Sequence, residues 1–324
     1  MAVNRKLRFN YGSLKVPEIL FPYNLYLFRI IRNDELDLNL SVKGKLFPMK
    51  NILFGFGCIA FLSGIFLFSS LIHKPPIKVA VMDSGLDYTL DVFEGTPIRS
   101  KEFPFRLPQN GEGMDENGHG TAIASLLVKN LSEKERKSII LYNIKVLDES
   151  GRGDPVQLHK GIEWAIKQDV DLINISSGFQ KYDSRVDEVI QKAINHNIII
   201  VASAGNNLGM ESDYPARFNG VLSVSAIKEN LDRLILSSTG KVDFVAIGEN
   251  VEVSNIDSSV SAESGSSIAA AKVSSIILLE MLQNHEMIKD PEKVKEHLER
   301  IAIDLGENGK DRIFGSGYIK TSGG

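Results

Sequence analysis

Residues Glu263–Ala271 read Glu-Ser-Gly-Ser-Ser-Ile-Ala-Ala-Ala, a turn of small residues set directly before the largely apolar run Ile268–Leu282. That run is too long for an ordinary strand and holds neither Gly nor Pro, so it predicts a buried helix. A serine therefore stands at a helix N-terminus, where unpaired N–H groups and the positive end of the helix dipole favour negative charge. An oxyanion forming beside an attacking hydroxyl needs that environment. Serine also caps helices without doing chemistry, so its partners decide the matter.

Three other stretches supply candidate partners. Asp83 ends the apolar run Ile77–Met82. His119 lies in Asn117-Gly118-His119-Gly120-Thr121, and flanking glycines let an imidazole approach other groups closely. Asn206 follows the run Ile198–Ser203 in Ala204-Gly205-Asn206-Asn207, where a carboxamide can donate to an oxyanion. The remaining histidines, His73, His159, His196, His285 and His297, have no such setting. Read alone, Val81-Met82-Asp83-Ser84-Gly85 also fits an aspartic protease, whose chemistry needs two carboxylates sharing a proton. No second Asp-Ser-Gly or Asp-Thr-Gly occurs, so that reading requires a dimer.

The elements that must position these residues are legible from patterning. Apolar runs of strand length recur at Ile77–Met82, Ile139–Val146, Val170–Ile175, Ile198–Ser203, Val221–Ala226 and Val242–Ile247. Between several of them lie helical patterns at Thr121–Lys129, Val156–Gln168 and Val186–Asn195. Strands apolar on both faces, alternating with helices, predict an α/β domain with a doubly wound parallel sheet over residues 77–320. In such a sheet chemistry sits at the carboxyl ends of the strands, which is where Asp83 and Asn206 stand.

Taken together, Asp83, His119 in Gly-His-Gly-Thr, Asn206 in Ala-Gly-Asn and Ser267 in Gly-Ser-Ser-Ile-Ala-Ala resemble the subtilisin-like serine proteases, from Ile77 to Ile319. The resemblance implies serine endopeptidase activity through an acyl-enzyme. Ser267 would be the nucleophile, His119 the general base, Asp83 its orienting carboxylate, and Asn206 an oxyanion donor. Lys145–Gly153 looks like the family's substrate-pairing edge, with Gly151, Arg152 and Gly153 binding peptide, and Ser176-Ser177-Gly178 looks like the opposite wall. An extended polypeptide substrate would lie between them. Asp213, before Tyr214-Pro215-Ala216, matches the floor of the pocket for the side chain preceding the cut, which implies a preference for Lys or Arg; the other reading is a solvated loop acid. Two departures stand out: Gly265-Ser266-Ser267 where the family has Gly-Thr-Ser, and Ala271-Lys272 where it has Pro-His. Ser264 and Ser266 are rival nucleophiles ranked behind Ser267. Calcium sites are common in the family, but the loop Asn130–Arg136 matches no calcium loop, so no metal or other cofactor is expected. A catalytically silent subtilisin-like binding protein and an unrelated α/β interaction module are the alternatives.

The rest of the chain of 324 residues has ordinary composition, 43% hydrophobic and 24% charged, with a net charge of −4 and no basic run for nucleic acid. The exception is Asn51–Ile72, an apolar stretch without a charge. As a helix rising about 1.5 Å per residue it would cross a hydrocarbon layer of about 30 Å. Lys43, Lys45 and Lys50 before it, against Lys74 and Lys78 after, place the N-terminus in the cytoplasm and the catalytic domain outside. The expectation is an uncleaved transmembrane anchor over 51–72, with a cleaved signal segment starting at Met49 as the alternative. Residues 1–50 read as an N-terminal extension without a sustained period, either cytoplasmic or upstream of a true start at Met49, and 73–76 as a linker. The single cysteine, Cys58, lies in the apolar segment and forms no internal disulfide.

Overall fold

The computed structural model describes residues 25–32, 35–42, 45–48, 75–103, 113–283 and 290–320. The expected membrane or signal segment 51–72 lies outside the described residues. The chain divides into two compact units, Met1–Lys74 and Pro75–Gly324.

In the first unit, strands β1 (Leu25–Arg32), β2 (Glu35–Val42) and β3 (Lys45–Pro48) form an antiparallel meander in the order β1-β2-β3. This corrects the expectation of a segment without a period. Glu35–Val42 in fact alternates polar and apolar residues strictly, Glu-Leu-Asp-Leu-Asn-Leu-Ser-Val, which is the period of a strand.

The second unit is built on a seven-stranded parallel sheet in the order β10-β9-β8-β7-β4-β6-β5. Its strands are β4 (Ile77–Asp83), β5 (Ile98–Glu102), β6 (Ile139–Lys145), β7 (Leu172–Ile175), β8 (Ile199–Ser203), β9 (Leu222–Ile227) and β10 (Phe244–Ile247). The doubly wound expectation holds: the chain enters at β4, winds to β5 and β6 on one side, then crosses to β7 and runs outward on the other. The two carboxyl ends flanking this reversal, β4 and β7, border the crevice where such sheets bind ligands.

Alternate residues of each strand feed opposite cores. Val79, Val81, Leu172, Val201 and Val224 pack with α1 (His119–Val128) and α5 (Ser266–Gln283). Ala80, Met82, Ile173, Ile175 and Ala202 pack on the other face with α3 (Pro155–Lys167) and α4 (Ser184–Asn195). Both faces are thereby buried, which is why these strands read as continuous apolar runs rather than alternating ones. Asp154 and Asp183 cap α3 and α4 by accepting from first-turn N–H groups, and Pro155 pre-sets the first turn of α3.

Helix α5 packs on β4, β7, β8, β9 and β10. By length and hydropathy it could span a membrane, yet most of it is buried inside the domain, where it serves as the central helix of one layer. Five elements of this unit lay outside the pattern reading. They are the edge strand β5, the hairpin β11 (Val251–Ser254) and β12 (Val260–Glu263), the short capped α2 (Glu133–Arg136), and α6 (Pro291–Ile301), whose Asp290 cap and Pro291 follow the usual start signals.

Candidate active site

Asp83 is the last residue of β4 and is only 1% exposed. His119 is the first residue of α1, so its ring projects from a helix start toward the strand end. The two meet: His119 Nδ1 lies 2.8 Å from Asp83 Oδ1. Gly120 makes the approach possible, because a Cβ there would fall 2.2 Å from the Gly85 carbonyl oxygen. Ser84 N also donates to Asp83 Oδ1 at 2.8 Å. The nearby Asp83 charge, reinforced by Asp115 and Glu263, holds the imidazole up at about 9 against the lowering effect of burial. The side chain is still 39% exposed, so its outer edge faces the groove.

Ser267 occupies the first turn of α5 and is nearly buried. Its Oγ donates to the Ser176 carbonyl at 3.0 Å. Among the described residues no hydrogen bond joins it to His119; the link between them is Ser176, which accepts from Ser267 and lines the same groove as His119. Ser266 is fully buried, with its Oγ 2.6 Å from Ser203 Oγ and donating to Asn206 Oδ1 at 3.0 Å. Ser264 accepts from Asn250 N at 2.9 Å. The rival serines are thus engaged as structural groups.

Asn206 follows β8 and is exposed. Its Oδ1 accepts from both the backbone N and the Oγ of Ser266, which turns the carboxamide toward the head of α5. The Nδ2 lies against Gly265, 2.9 Å from where a Cβ would be, so only glycine admits the amide there. Ser267 follows in the first turn of α5, where backbone N–H groups have no acceptor within the helix.

A groove of about 570 Å³ runs past His119 between Ser150–Asp154 and Ser176–Phe179. Gly151, Arg152 and Gly153 form one wall, and Ser176, Ser177 and Gly178 the other. The first wall is stiffened by Asp148, whose Oδ1 accepts from Ser150 N and Arg152 N, each at 2.9 Å. The second is pinned where Phe179 and Tyr214 exchange backbone hydrogen bonds at 2.7 and 2.8 Å.

Asp213 does not line this groove. It sits behind it, its Cβ 2.8 Å from where a Gly178 Cβ would be and its Oδ2 2.4 Å from that of Gly205. Burial pushes the Asp213 carboxyl above the ordinary carboxylate range, while Asn207 and Arg217 pull the other way. Its Oδ1 is buried without a hydrogen-bond partner.

Several residues around the site had no sequence signal beyond being polar and near a motif. Asn174 Nδ2 donates to Ser176 Oγ at 2.8 Å and Asn174 Oδ1 accepts from Ser274 Oγ at 2.9 Å, which ties the body of α5 to the groove wall. Asp115, four residues before His119, is 6% exposed and accepts hydrogen bonds from several donors at the start of α1. Of the departures from the resemblance, Ala271 is fully buried inside α5. Lys272 beside it is half-buried, its ammonium held below its ordinary range by burial and by Lys129. Among the described residues no three His, Cys, Asp or Glu side chains gather in a way that could hold a metal ion.

Comparison with known proteins agrees with this geometry. Residues 75–317 match the model of the subtilase family, peptidase S8. The chain is 29% identical over 252 residues to the minor extracellular protease Epr of Bacillus subtilis, covering 75% of this chain and 38% of that protein. It is 27% identical to subtilisin BL of Lederbergia lenta, covering 76% of this chain and 89% of that one. It is also 30% identical to subtilisin amylosacchariticus of Bacillus subtilis subsp. amylosacchariticus, covering 76% of this chain and 64% of that one. The chain thus spans well under half the length of Epr and less than two thirds of some other relatives. The protease domain of PatA shares the fold with a TM-score of 0.65 at 23% identity, covering 76% of this chain and 94% of that domain. With three quarters of its length matched, this chain belongs to the subtilase family of serine-type peptidases.

Proposed function

We propose that the chain is a serine endopeptidase whose nucleophile is Ser267. His119, oriented by Asp83, takes the proton from Ser267 Oγ as that oxygen attacks a peptide carbonyl. The Asn206 Nδ2 and the Ser267 N–H receive the oxyanion, and His119 passes its proton to the leaving amine. Water then repeats the sequence on the acyl-enzyme. Before attack the Ser267 hydroxyl must turn from the Ser176 carbonyl to His119, a rotation about one side-chain bond; such contacts are often loose before substrate binds. The observation that carries the reading is the buried Asp83 bonded to His119 at 2.8 Å, on the same crevice as the head of α5.

Treating the full chain with a fluorophosphonate probe, beside Ser267→Ala, tests it. Labelling that vanishes in the variant supports the reading. A folded but unlabelled wild type favours the silent binding protein, which the Ser267 to Ser176 hydrogen bond would then explain.

The same reading extends to specificity and place. The Asp213 Oδ1, buried without a hydrogen-bond partner behind Gly178 and Gly205, supports a preference for Lys or Arg before the cut, because a cation reaching it gains a charge-assisted hydrogen bond. Asp213→Asn should lower kcat/KM for Arg and Lys peptides at least about ten-fold and leave Leu peptides unchanged. Equal cleavage after Leu and Arg by the wild type overturns the preference. The apolar stretch 51–72 and its lysine asymmetry support a catalytic domain held outside the cytoplasm, or released there after signal cleavage.

A further inference from the structure

We infer that Asp115 is a positioning residue of the catalytic centre, fixing the start of α1, and with it the His119 ring, against Asp83. The inference rests on the endopeptidase reading above. Asp115 does not itself line the groove, yet its buried carboxylate accepts from five donors. Oδ1 takes Ser84 Oγ at 2.9 Å, Asn117 N at 3.1 Å and Gly118 N at 2.9 Å. Oδ2 takes Thr121 N at 2.8 Å and Thr121 Oγ1 at 2.7 Å. Helix α1 has no cap of its own, since its N-cap position is Gly118 in the left-handed region at φ 96°. Asp115 supplies the missing acceptor from outside and places a negative charge at the positive end of the helix.

The contacts also join the two catalytic side chains. Ser84 Oγ accepts from Gly120 N at 2.9 Å while donating to Asp115, and Ser84 N donates to Asp83 Oδ1. One residue thus connects the carboxylate that orients His119 with the carboxylate that holds its backbone. Lys145 Nζ donates to Met114 O at 2.7 Å and pairs with Glu116 at 3.5 Å, anchoring the residues on either side of Asp115. The charged groups facing His119 are Asp83 from β4, Asp115 from this loop and Glu263 from β12; α1 itself carries no other titratable side chain. All three favour the imidazolium that forms as Ser267 gives up its proton.

The test is Asp115→Asn in the full chain, which keeps the shape and removes the charge, read by the pH profile of kcat/KM and by NMR titration of the His119 ring. The expected result is a loss in kcat of about a hundred-fold with KM nearly unchanged, as a displaced base would give. The His119 midpoint should fall. Ser84→Ala should give a smaller loss in the same direction, and the double variant should lose less than the product of the two. If Asp115→Asn does not fold, Ser84→Ala and Thr121→Val carry the same readouts. A folded Asp115→Asn with wild-type kcat and an unmoved His119 midpoint overturns the inference, whatever its melting temperature. The NMR titration does not depend on hydrolysis, so an inactive wild type would sink the endopeptidase reading and leave this inference separately decided.

Discussion

In the proposed mechanism His119 has to be neutral to take a proton, while its surroundings favour the charged form. The Asp83 carboxylate, the largest cause, holds it at about 9, so at neutral pH most molecules carry the imidazolium. The consequence is that kcat/KM should climb as pH rises from neutrality toward about 9, measured on a peptide with no titrating group of its own. Asp83→Asn removes the main upward cause, so the rising limb should move to lower pH while kcat falls by about ten-thousand-fold. Asn206→Ala should cost about a hundred- to thousand-fold in kcat and lower the melting temperature modestly without unfolding the domain, because it also removes the acceptor of Ser266 N and Oγ at the head of α5. Asp83, His119, Asn206 and Ser267 could be singled out in the sequence because each stands beside glycines or small residues, at the end of an apolar run or the start of a helical pattern. Asp115, Ser84 and Asn174 were not. In the sequence a loop acid that accepts five hydrogen bonds cannot be distinguished from one that faces water; burial distinguishes them, and burial is created only when distant segments meet.

The close approach of α1 to β4 depends on Gly120, where a Cβ would fall 2.2 Å from a backbone oxygen that has no rotamer with which to yield. Gly120→Ala should therefore push α1 away from Asp83, destabilising the fold by about 1–3 kcal/mol and reducing turnover further than that loss explains, as thermal melts beside initial rates would show. Helix α5 is held at two levels, by apolar packing along its length and by the Ser274–Asn174–Ser176 chain at its middle. The six longer apolar runs were visible because strands covered on both faces leave unbroken hydrophobic text. The edge strand β5, Ile-Arg-Ser-Lys-Glu, and the hairpin β11–β12 were not, since short strands rich in polar residues look like loops. Their pairing is supplied by neighbours, β6 in one case and each other in the second.

Across the whole molecule, stability and activity call for different pH. In Asp115, hydrogen bonds from Thr121, Gly118 and Ser84 outweigh burial and depress the carboxyl; in Asp243, Lys241 and Lys310 do the same. Depressed carboxyls contribute stability that is present above about pH 4 and lost as pH falls through their folded values. His119 has the opposite sign: its raised value contributes stability that is complete below about pH 6.5 and is lost as pH rises to about 9. Denaturant midpoints should thus be highest on the acid side of neutrality, where turnover is low. Chain order has a further consequence. The first strand of the domain, β4, lies inside the sheet between β7 and β6 and carries Asp83, whereas Ser267 arrives only with α5, after every strand of that sheet has been made. If Ser267 is the nucleophile, as proposed, a polypeptide leaving the ribosome holds none until its sheet is fully synthesised, and an unfinished copy cannot attack its neighbours.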